Sequence, residues 1–147
     1  ILLFPSFALG ETLGNLVERD GLFYKRFTVV PFSGKTTGNT QGTFRHGKTH
    51  GPWVEFWSNG QLSEKGDYKD GKKDGPWVRY WNNGQFIFKG NYKNGKKEGP
   101  WVNYHPNGQL SDKGTYEDGK EEGPWVQYWE SGRLSWKGDY RNGKKVK

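Results

Sequence analysis

The sequence predicts an all-β protein, an elongated single-layer antiparallel β-meander built from tandem hairpins of 24 residues. Three observations predict this fold. The tetrapeptide Gly-Pro-Trp-Val begins at Gly51, Gly75, Gly99 and Gly123, always 24 residues apart, and turn dipeptides ending in glycine separate short apolar runs. The 147 residues include 23 glycines, and 25 aromatic residues outnumber 20 aliphatic ones. Each glycine would cost a helix about 1 kcal/mol, which excludes an all-α fold, and no segment could form the crossover helices of a doubly wound α/β fold.

The strict period divides the chain into a lead-in and an array. Four tandem repeats cover residues 51–74, 75–98, 99–122 and 123–147, as expected for a chain of stacked units. Residues 11–50 form the lead-in, which ends in a degenerate capping repeat because Gly42 to His50 aligns with Gly66 to Asp74. We expect residues 27–33 to supply the first strand of this cap, with Pro31 marking an edge strand.

Two turn signals occur in each repeat, alternately 11 and 13 residues apart. Asn-Gly and Asp-Gly favour two-residue type I′ turns, in which both residues have positive φ. Eight such turns in series, flanked by Trp, Val, Tyr and Leu, predict two strands per repeat. The turns lie at Asn59-Gly60, Asp70-Gly71, Asn83-Gly84, Asn94-Gly95, Asn107-Gly108, Asp118-Gly119, Ser131-Gly132 and Asn142-Gly143.

Two-residue turns also predict the strand register. Trp57 would face Leu62, Glu55 would face Glu64, and Trp53 would face Gly66, with the indole filling the space that the glycine leaves. Side chains alternate between the two faces of a sheet, so one face is aromatic and the other, with Val54 and Lys65, is half polar. The aromatic face would carry two columns, one of Trp53, Trp77, Trp101 and Trp125 and one of Tyr68, Tyr92, Tyr116 and Tyr140.

The first ten residues are apolar and uncharged, with small residues at Ser6, Ala8 and Gly10. We interpret residues 1–10 as the remnant of a secretory signal peptide; the alternative is an apolar edge strand. A signal peptide predicts export to the periplasm or cell envelope, and a cytoplasmic location follows if these residues are not a signal. The chain has no cysteine, which excludes a lipoprotein anchor, disulfides and thiol chemistry.

The net charge of +7 first suggests an anionic partner. The charge alternates along the chain, however, from +3 in residues 27–50 to −1, +4, −3 and +4 in the four repeats. A nucleic-acid surface needs a continuous basic stripe along the phosphates, so we do not expect nucleic acid as a partner. An anionic membrane surface stays an alternative.

The repeat resembles a known family. The words Gly-Pro-Trp, Asn-Gly-Gln-Leu, Lys-Gly-x-Tyr and Asx-Gly-Lys-x-x-Gly are similar to the MORN repeat variant, the bacterial relative of the membrane occupation and recognition nexus repeat. The lead-in words from Leu16 to Tyr24 and from Pro31 to Gly38 also resemble that family, so the resemblance covers about residues 17–145. Members of the family are often labelled antitoxin components of toxin–antitoxin systems, which implies a toxin as one candidate partner.

No residue pattern indicates catalysis. His46 and His50 flank a turn, and His105 occupies the slot of Trp57, Trp81 and Trp129. A metal site needs three or four converging ligands, and no serine has the setting of a nucleophile. Carboxylate pairs such as Glu121-Glu122 lie at turns, without a pocket to raise one pKa. We therefore expect no enzyme activity, no metal and no cofactor.

The aromatic columns and the positions that vary inside the fixed frame are the candidate binding residues. Trp, Tyr and Arg often anchor protein interfaces, although a single-layer sheet also needs large rings to cover itself. We predict binding to an unidentified protein; a glycan or peptidoglycan and an anionic membrane are the alternatives, and a monomer or an edge-to-edge oligomer stays open. The candidate residues are Trp53, Glu55, Trp57, Glu64, Trp77, Arg79, Trp81, Phe88, Trp101, Asp112, Trp125, Trp129 and Trp136.

Overall fold

The computed structural model of the chain describes residues 10–146. The predicted signal-peptide remnant therefore lies, apart from Gly10, outside the described residues. Among the described residues, β-strands dominate, and a single 3₁₀ turn at Leu13–Asn15 accompanies them. The predicted all-β meander is confirmed.

The strands are β1 (Glu11–Thr12), β2 (Leu16–Arg19), β3 (Leu22–Lys25), β4 (Gly34–Thr37), β5 (Thr40–Arg45), β6 (Lys48–Phe56), β7 (Leu62–Lys69), β8 (Lys72–Tyr80), β9 (Phe86–Lys93), β10 (Lys96–Tyr104), β11 (Leu110–Glu117), β12 (Lys120–Tyr128), β13 (Leu134–Arg141) and β14 (Lys144–Lys145). Twelve of them form one open sheet in the order β1-β4-β5-β6-β7-β8-β9-β10-β11-β12-β13-β14, and β2 and β3 form a separate hairpin. From β4 to β14, strands that follow one another along the chain are adjacent in the sheet. All pairs are antiparallel except β1 with β4, which run parallel at the N-terminal edge.

Only half of the eight predicted turns are of type I′. At Asp70-Gly71, Asn94-Gly95, Asp118-Gly119 and Asn142-Gly143 both residues have positive φ. In the other four turns only the glycine does. Around Asn59-Gly60, for example, the Gly60 N–H donates to the Trp57 carbonyl and the Trp57 N–H donates to the Gln61 carbonyl. These are three-residue loops that end in a left-handed glycine, so the prediction of two-residue loops was wrong there.

The longer loop changes the register only beside the turn. Trp53 pairs with Gly66 and Glu55 pairs with Glu64, as predicted. An irregularity after Glu55 then pairs Phe56 with Leu62, so the predicted pairing of Trp57 with Leu62 was wrong. The same shift follows the equivalent position in each of the four repeats, because each carries the same three-residue loop.

The core lies on one face of the sheet, which we call the aromatic face. Trp53, Trp77, Trp101 and Trp125 are 6%, 0%, 1% and 3% exposed. Between them stand Tyr68, Tyr92, Tyr116 and Tyr140, and successive ring centroids lie 5.1–6.1 Å apart at steep angles. Edge-to-face contacts of this kind add about 0.5–1.5 kcal/mol each to the burial of the rings. We call these eight residues the indole ladder, and it is the core of the array.

Each indole leans toward the glycine of the preceding strand and away from the glycine of the following strand. A Cβ at Gly66 would lie less than 3.0 Å from ring carbons of Trp77, and Gly42, Gly90 and Gly114 stand in the same relation to the tryptophan of the following repeat. The prediction that Trp53 covers Gly66 was therefore wrong, since its ring covers Gly42. Because every indole reaches back across a repeat boundary, the ladder joins one repeat to the next.

The lead-in covers the N-terminal end of the ladder. Leu16 of β2 and Phe23 of β3 pack with Phe32 and Phe44 beside Trp53. This segment packs on the capping repeat, but the predicted strand at residues 27–33 was wrong. The first strand of the capping repeat is β4, because the preceding chain turns back along β3, where the Phe32 N–H donates to the Phe23 carbonyl.

Candidate functional site

The structure separates the predicted binding residues into three groups. The four tryptophans of the Gly-Pro-Trp-Val motifs lie in the indole ladder. They are only 0–6% exposed, so their rings are not accessible to a partner. Residues of the variable positions lie beside the ladder on the same face. Trp57, Trp81 and Trp129 lie at the three-residue loops, at one edge of the sheet.

The indole N–H groups of the ladder alternate between two kinds of acceptor. Trp53 and Trp101 donate to side chains two residues on, at 2.9 Å to Glu55 and 3.1 Å to Asn103. Trp77 and Trp125 instead donate to backbone carbonyls of the preceding strand. A buried donor needs an acceptor, and the side chains two positions after Trp53 and Trp101 supply it there. Arg79 occupies that position after Trp77 and carries only donors.

The variable positions form one uninterrupted row across eight strands, which we call the variable row. Each member pairs in register with the next, within and between repeats. This continuity was not evident from the sequence, because it needs the register of both hairpin types. The row runs Glu55, Glu64, Arg79, Phe88, Asn103, Asp112, Gln127 and Trp136.

Glu64 is the most buried charge of the variable row, at 8% exposure. Its Oε1 lies 2.5 Å from the Lys73 ammonium, and its Oε2 lies 3.7 Å from the Arg79 guanidinium. The Lys73 ammonium also lies 3.8 Å from the centre of the Trp77 ring. A buried carboxylate needs such partners to offset its desolvation, so Glu64 has a structural role, whereas Arg79 is exposed.

The rest of the variable row is half-buried and contacts its own frame. Phe88 stacks on Trp101 with ring centres 4.9 Å apart. Asp112 accepts from the Asn103 amide at 2.6 Å. The Trp136 ring lies over Gly138, whereas the equivalent glycines of the other repeats are covered by the tryptophan of the following repeat. The row therefore presents a different pair of side chains in each repeat.

The aromatic or histidine side chain that precedes each three-residue loop, at Trp57, Trp81, His105 and Trp129, links successive repeats where it bonds to the next one. Trp57 donates to the Tyr80 carbonyl at 3.2 Å, and His105 Nε2 donates to the Tyr128 carbonyl at 2.9 Å, so that Nε2 carries the proton. The Trp81 indole N–H is buried without a hydrogen-bond partner among the described residues. Trp129 is 62% exposed, which makes it the most accessible tryptophan of the candidate set.

The opposite face, which we call the open face, is one that sequence reasoning did not single out. It carries a row in which Val and Lys alternate from strand to strand. Lys65, Lys89 and Lys113 each pair with a valine on both sides, and Lys137 pairs with Val126. All four lysines, Lys65, Lys89, Lys113 and Lys137, are exposed. The sequence does contain a sign of this row, because a lysine occupies the same position in every repeat. The net charge of each repeat does not reveal it, since other charged residues change the sum.

Burial of the ladder changes the acidity of its tyrosines. It raises the pKa of Tyr68 to about 12, with a further contribution from the Glu64 and Glu55 carboxylates. Burial is also the first cause of the raised pKa values of Tyr92, Tyr116 and Tyr140. Burial lowers the pKa of Lys97, whose ammonium lies 4.3 Å from the centre of the Trp101 ring. These shifts follow from packing and identify no catalytic group.

A loop of the lead-in exposes apolar side chains away from the ladder. Phe27 is fully exposed and has a φ of 64°, and Val29 and Val30 are 85% and 71% exposed. The loop is held by Arg19, which donates to the Thr28 carbonyl, and by the Thr28 hydroxyl, which donates to the Lys25 carbonyl. The sequence predicted a strand at residues 27–33, so the exposed loop was not foreseen.

No group of three or more His, Cys, Asp or Glu side chains in residues 10–146 is placed to hold a metal ion. Over the same residues, no helix has the length and apolar character needed to cross a membrane.

An open array of β-hairpins with its core on one face defines a tandem-repeat scaffold, stabilised by contacts between neighbouring units. The sequence profile of the MORN repeat variant family matches residues 49–70, 73–94 and 97–118. These three segments are MORN repeat variants, and proteins built from this repeat are generally non-catalytic repeat scaffolds. No curated protein matches the chain in sequence.

Proposed function

We propose that the chain is a non-enzymatic scaffold that binds a protein partner through the variable row. The observation that carries the proposal is the continuity of the row, in which the two strand positions that differ in all four repeats pair with each other within and between repeats. The frame residues around the row stay constant and hold it in place. A rigid frame with one variable line favours specific recognition, because little conformational entropy is lost on binding.

Arg79 and Phe88 are the expected anchors of this interface. They pair with each other in the middle of the row, and the Arg79 side chain is 47% exposed. Arginine and aromatic side chains at the centre of a patch commonly supply most of the binding energy. Trp129 is exposed but lies at the loop edge, so it would contact only a partner that extends beyond the row.

Site-specific photocrosslinking in the cells that make the protein tests the proposal. A benzophenone amino acid at Arg79 should form an adduct with one protein species. The matched control places it at Asn94, an exposed residue of a type I′ turn far from the row. Absence of an adduct at Arg79, or the same adducts from both positions, would contradict the proposal.

We also propose export to the bacterial cell envelope and an antitoxin-like or immunity-like role there. The supports are the apolar, uncharged residues 1–10 and the label that members of the family often carry. Export restricts the partner to the envelope, since a cytosolic target is out of reach. A fusion of alkaline phosphatase to the full-length gene product should be active only if the chain is exported, and an inactive but stable fusion would contradict this location.

A further inference from the structure

The open face carries a line of positive charge that is repeated without exception. Lys65, Lys89, Lys113 and Lys137 hold the same slot in the four repeats, and all are exposed. Their neighbours in the row, Val54, Val78, Val102 and Val126, are half-buried. Two strand spacings separate successive lysines, which is about 9.6 Å. The row thus presents one cation per repeat on an apolar background.

An apolar row runs beside the lysines. Phe56, Tyr80, Tyr104 and Tyr128 pair in register with Leu62, Phe86, Leu110 and Leu134. The Phe86 ring centre lies 5.0 Å from that of Tyr80 and 5.7 Å from that of Tyr104. The Lys89 ammonium lies 3.4 Å from the centre of the Phe86 ring, which ties the two rows into one surface.

Acidic and proline residues bound the lysine row on its other side. Asp67 pairs with Pro52 and with Asp74, and Glu98 and Glu122 follow at the equivalent positions. A shallow groove of about 290 Å³ lies between successive repeats here, lined by Pro52, Val54, Lys65, Asp67, Pro76 and Val78. The face as a whole is therefore not cationic. Lys65, Lys89, Lys113 and Lys137 form a line with apolar side chains on one side and carboxylates on the other, which favours a narrow ligand over a broad anionic surface.

The spacing of the line matches one kind of extended peptide. A polyproline II helix has three residues per turn and rises about 3.1 Å per residue, so every third side chain lies on one edge about 9.3 Å apart. A β-strand cannot match it, because residues three apart point to opposite sides. Polyproline II segments also commonly dock on aromatic-lined grooves, and the apolar row supplies one.

We propose that the open face binds a polyproline II segment that carries a carboxylate at every third residue. The carboxylates pair with the lysine row, and the prolines lie against the aromatic and leucine side chains. This inference rests on the proposed scaffold function and names a partner chemistry for the face opposite the variable row. The preformed helix needs little ordering on binding, so modest charge contacts suffice.

The test uses fluorescein-labelled (Glu-Pro-Pro)₄ and a control peptide of the same composition with its four glutamates adjacent, both titrated with the full chain and followed by anisotropy. The periodic peptide should bind more tightly. The double variant Lys89→Gln/Lys113→Gln should weaken its binding by about tenfold, since charge contacts at an interface contribute to that extent. The variant Lys72→Gln/Lys93→Gln, at the turn edge, makes the same change in net charge and should have little effect.

Three outcomes would overturn the inference: equal binding of the two peptides, equal effects of the two double variants, or binding of phosphatidylcholine–phosphatidylglycerol vesicles through Lys89 and Lys113 without binding of the peptide. The last would assign the row to a lipid surface. Far-ultraviolet circular dichroism of both variants shows whether the fold is kept. Failure here leaves the crosslinking result at Arg79 untouched, because that residue lies on the opposite face.

Discussion

The indole of Trp77 lies over Gly66 of the preceding repeat. Within its own repeat, Trp77 pairs in register with Gly90, which the ring does not cover. The ring fills the space of a missing side chain in the preceding repeat and is itself 0% exposed. Every Gly-Pro-Trp-Val word makes this contact with the glycine before it. A single-layer sheet has no second layer to bury its core, and the contact replaces that layer by packing each repeat against its neighbour.

A methyl group at the ladder glycines should destabilise the whole array. At Gly90 a Cβ would lie less than 3.0 Å from the Trp101 ring, which is held by Phe88 and Tyr92. Overpacking of this kind costs about 1–3 kcal/mol or more, so Gly90→Ala should lower the free energy of unfolding in urea by at least that. Gly14→Ala, where the nearest atom would be 4.0 Å away, is the control and should change it little.

Glu55 should matter as a hydrogen-bond acceptor and not as a charge. Its Oε1 accepts the Trp53 indole N–H at 2.9 Å. Glu55→Ala leaves a buried donor unsatisfied, which costs about 1–3 kcal/mol, whereas Glu55→Gln keeps a carbonyl oxygen and removes a like charge paired with Glu64. Urea denaturation should therefore show a loss for alanine and little or none for glutamine. Equal losses in the two variants would refute this role.

Lys73 should be required only while Glu64 is charged. Lys73→Met leaves a carboxylate of 11% side-chain exposure with only Arg79, at 3.7 Å, as a partner. Loss of a buried partner costs about 3–5 kcal/mol. The double variant Glu64→Gln/Lys73→Met should recover most of the lost stability, because the amide carries no charge to desolvate. A double-mutant cycle measures this coupling, and additive effects would show that the pair does not act as a unit.

The ladder tyrosines predict loss of stability in alkali. The pKa of Tyr68 is raised to about 12 from an ordinary value of 10.0, so the unfolded chain releases this proton first. The associated stability is complete below pH 10 and is lost as the pH rises toward 12. Phenolate absorbance and circular dichroism should change together in this window, and Tyr68→Phe should move the midpoint to higher pH. Ionisation of Tyr68 near pH 10 with the sheet intact would be the contrary result.

Much of the fold was predictable because two periodicities coincide. The 24-residue repeat and the alternation of side chains fix which face each residue takes, and a one-residue slip would turn the tryptophans outward. The pairs of Trp53 with Gly66 and Glu55 with Glu64 follow from this. The loop at Asn59-Gly60 did not, because Asn-Gly suits both a two-residue turn and a three-residue loop with a left-handed glycine.

The candidate site was less predictable, since it depends on how side chains lean. Register places Trp53 opposite both Gly42 and Gly66 but does not say which of the two the ring covers, because that depends on the rotamer and the neighbouring rings. For the same reason the sequence could not separate buried indoles from accessible ones. The variable positions could be recognised by comparing the repeats. Only the structure shows that they form one row and that Glu64 is buried while Arg79 is exposed.

The central claim is that each tryptophan of the repeat packs on the glycine of the preceding repeat, and proton NMR tests it most directly. Protons beneath an aromatic ring are shifted upfield, so the Hα signals of Gly42, Gly66, Gly90 and Gly114 should lie upfield of those of Gly75 and Gly99, where an added Cβ would meet no atom within 4 Å. Trp101→Leu should return the Gly90 signal toward its ordinary position and leave Gly114 nearly unchanged. A shift at Gly114, the register partner of Trp101, with none at Gly90 would contradict the claim.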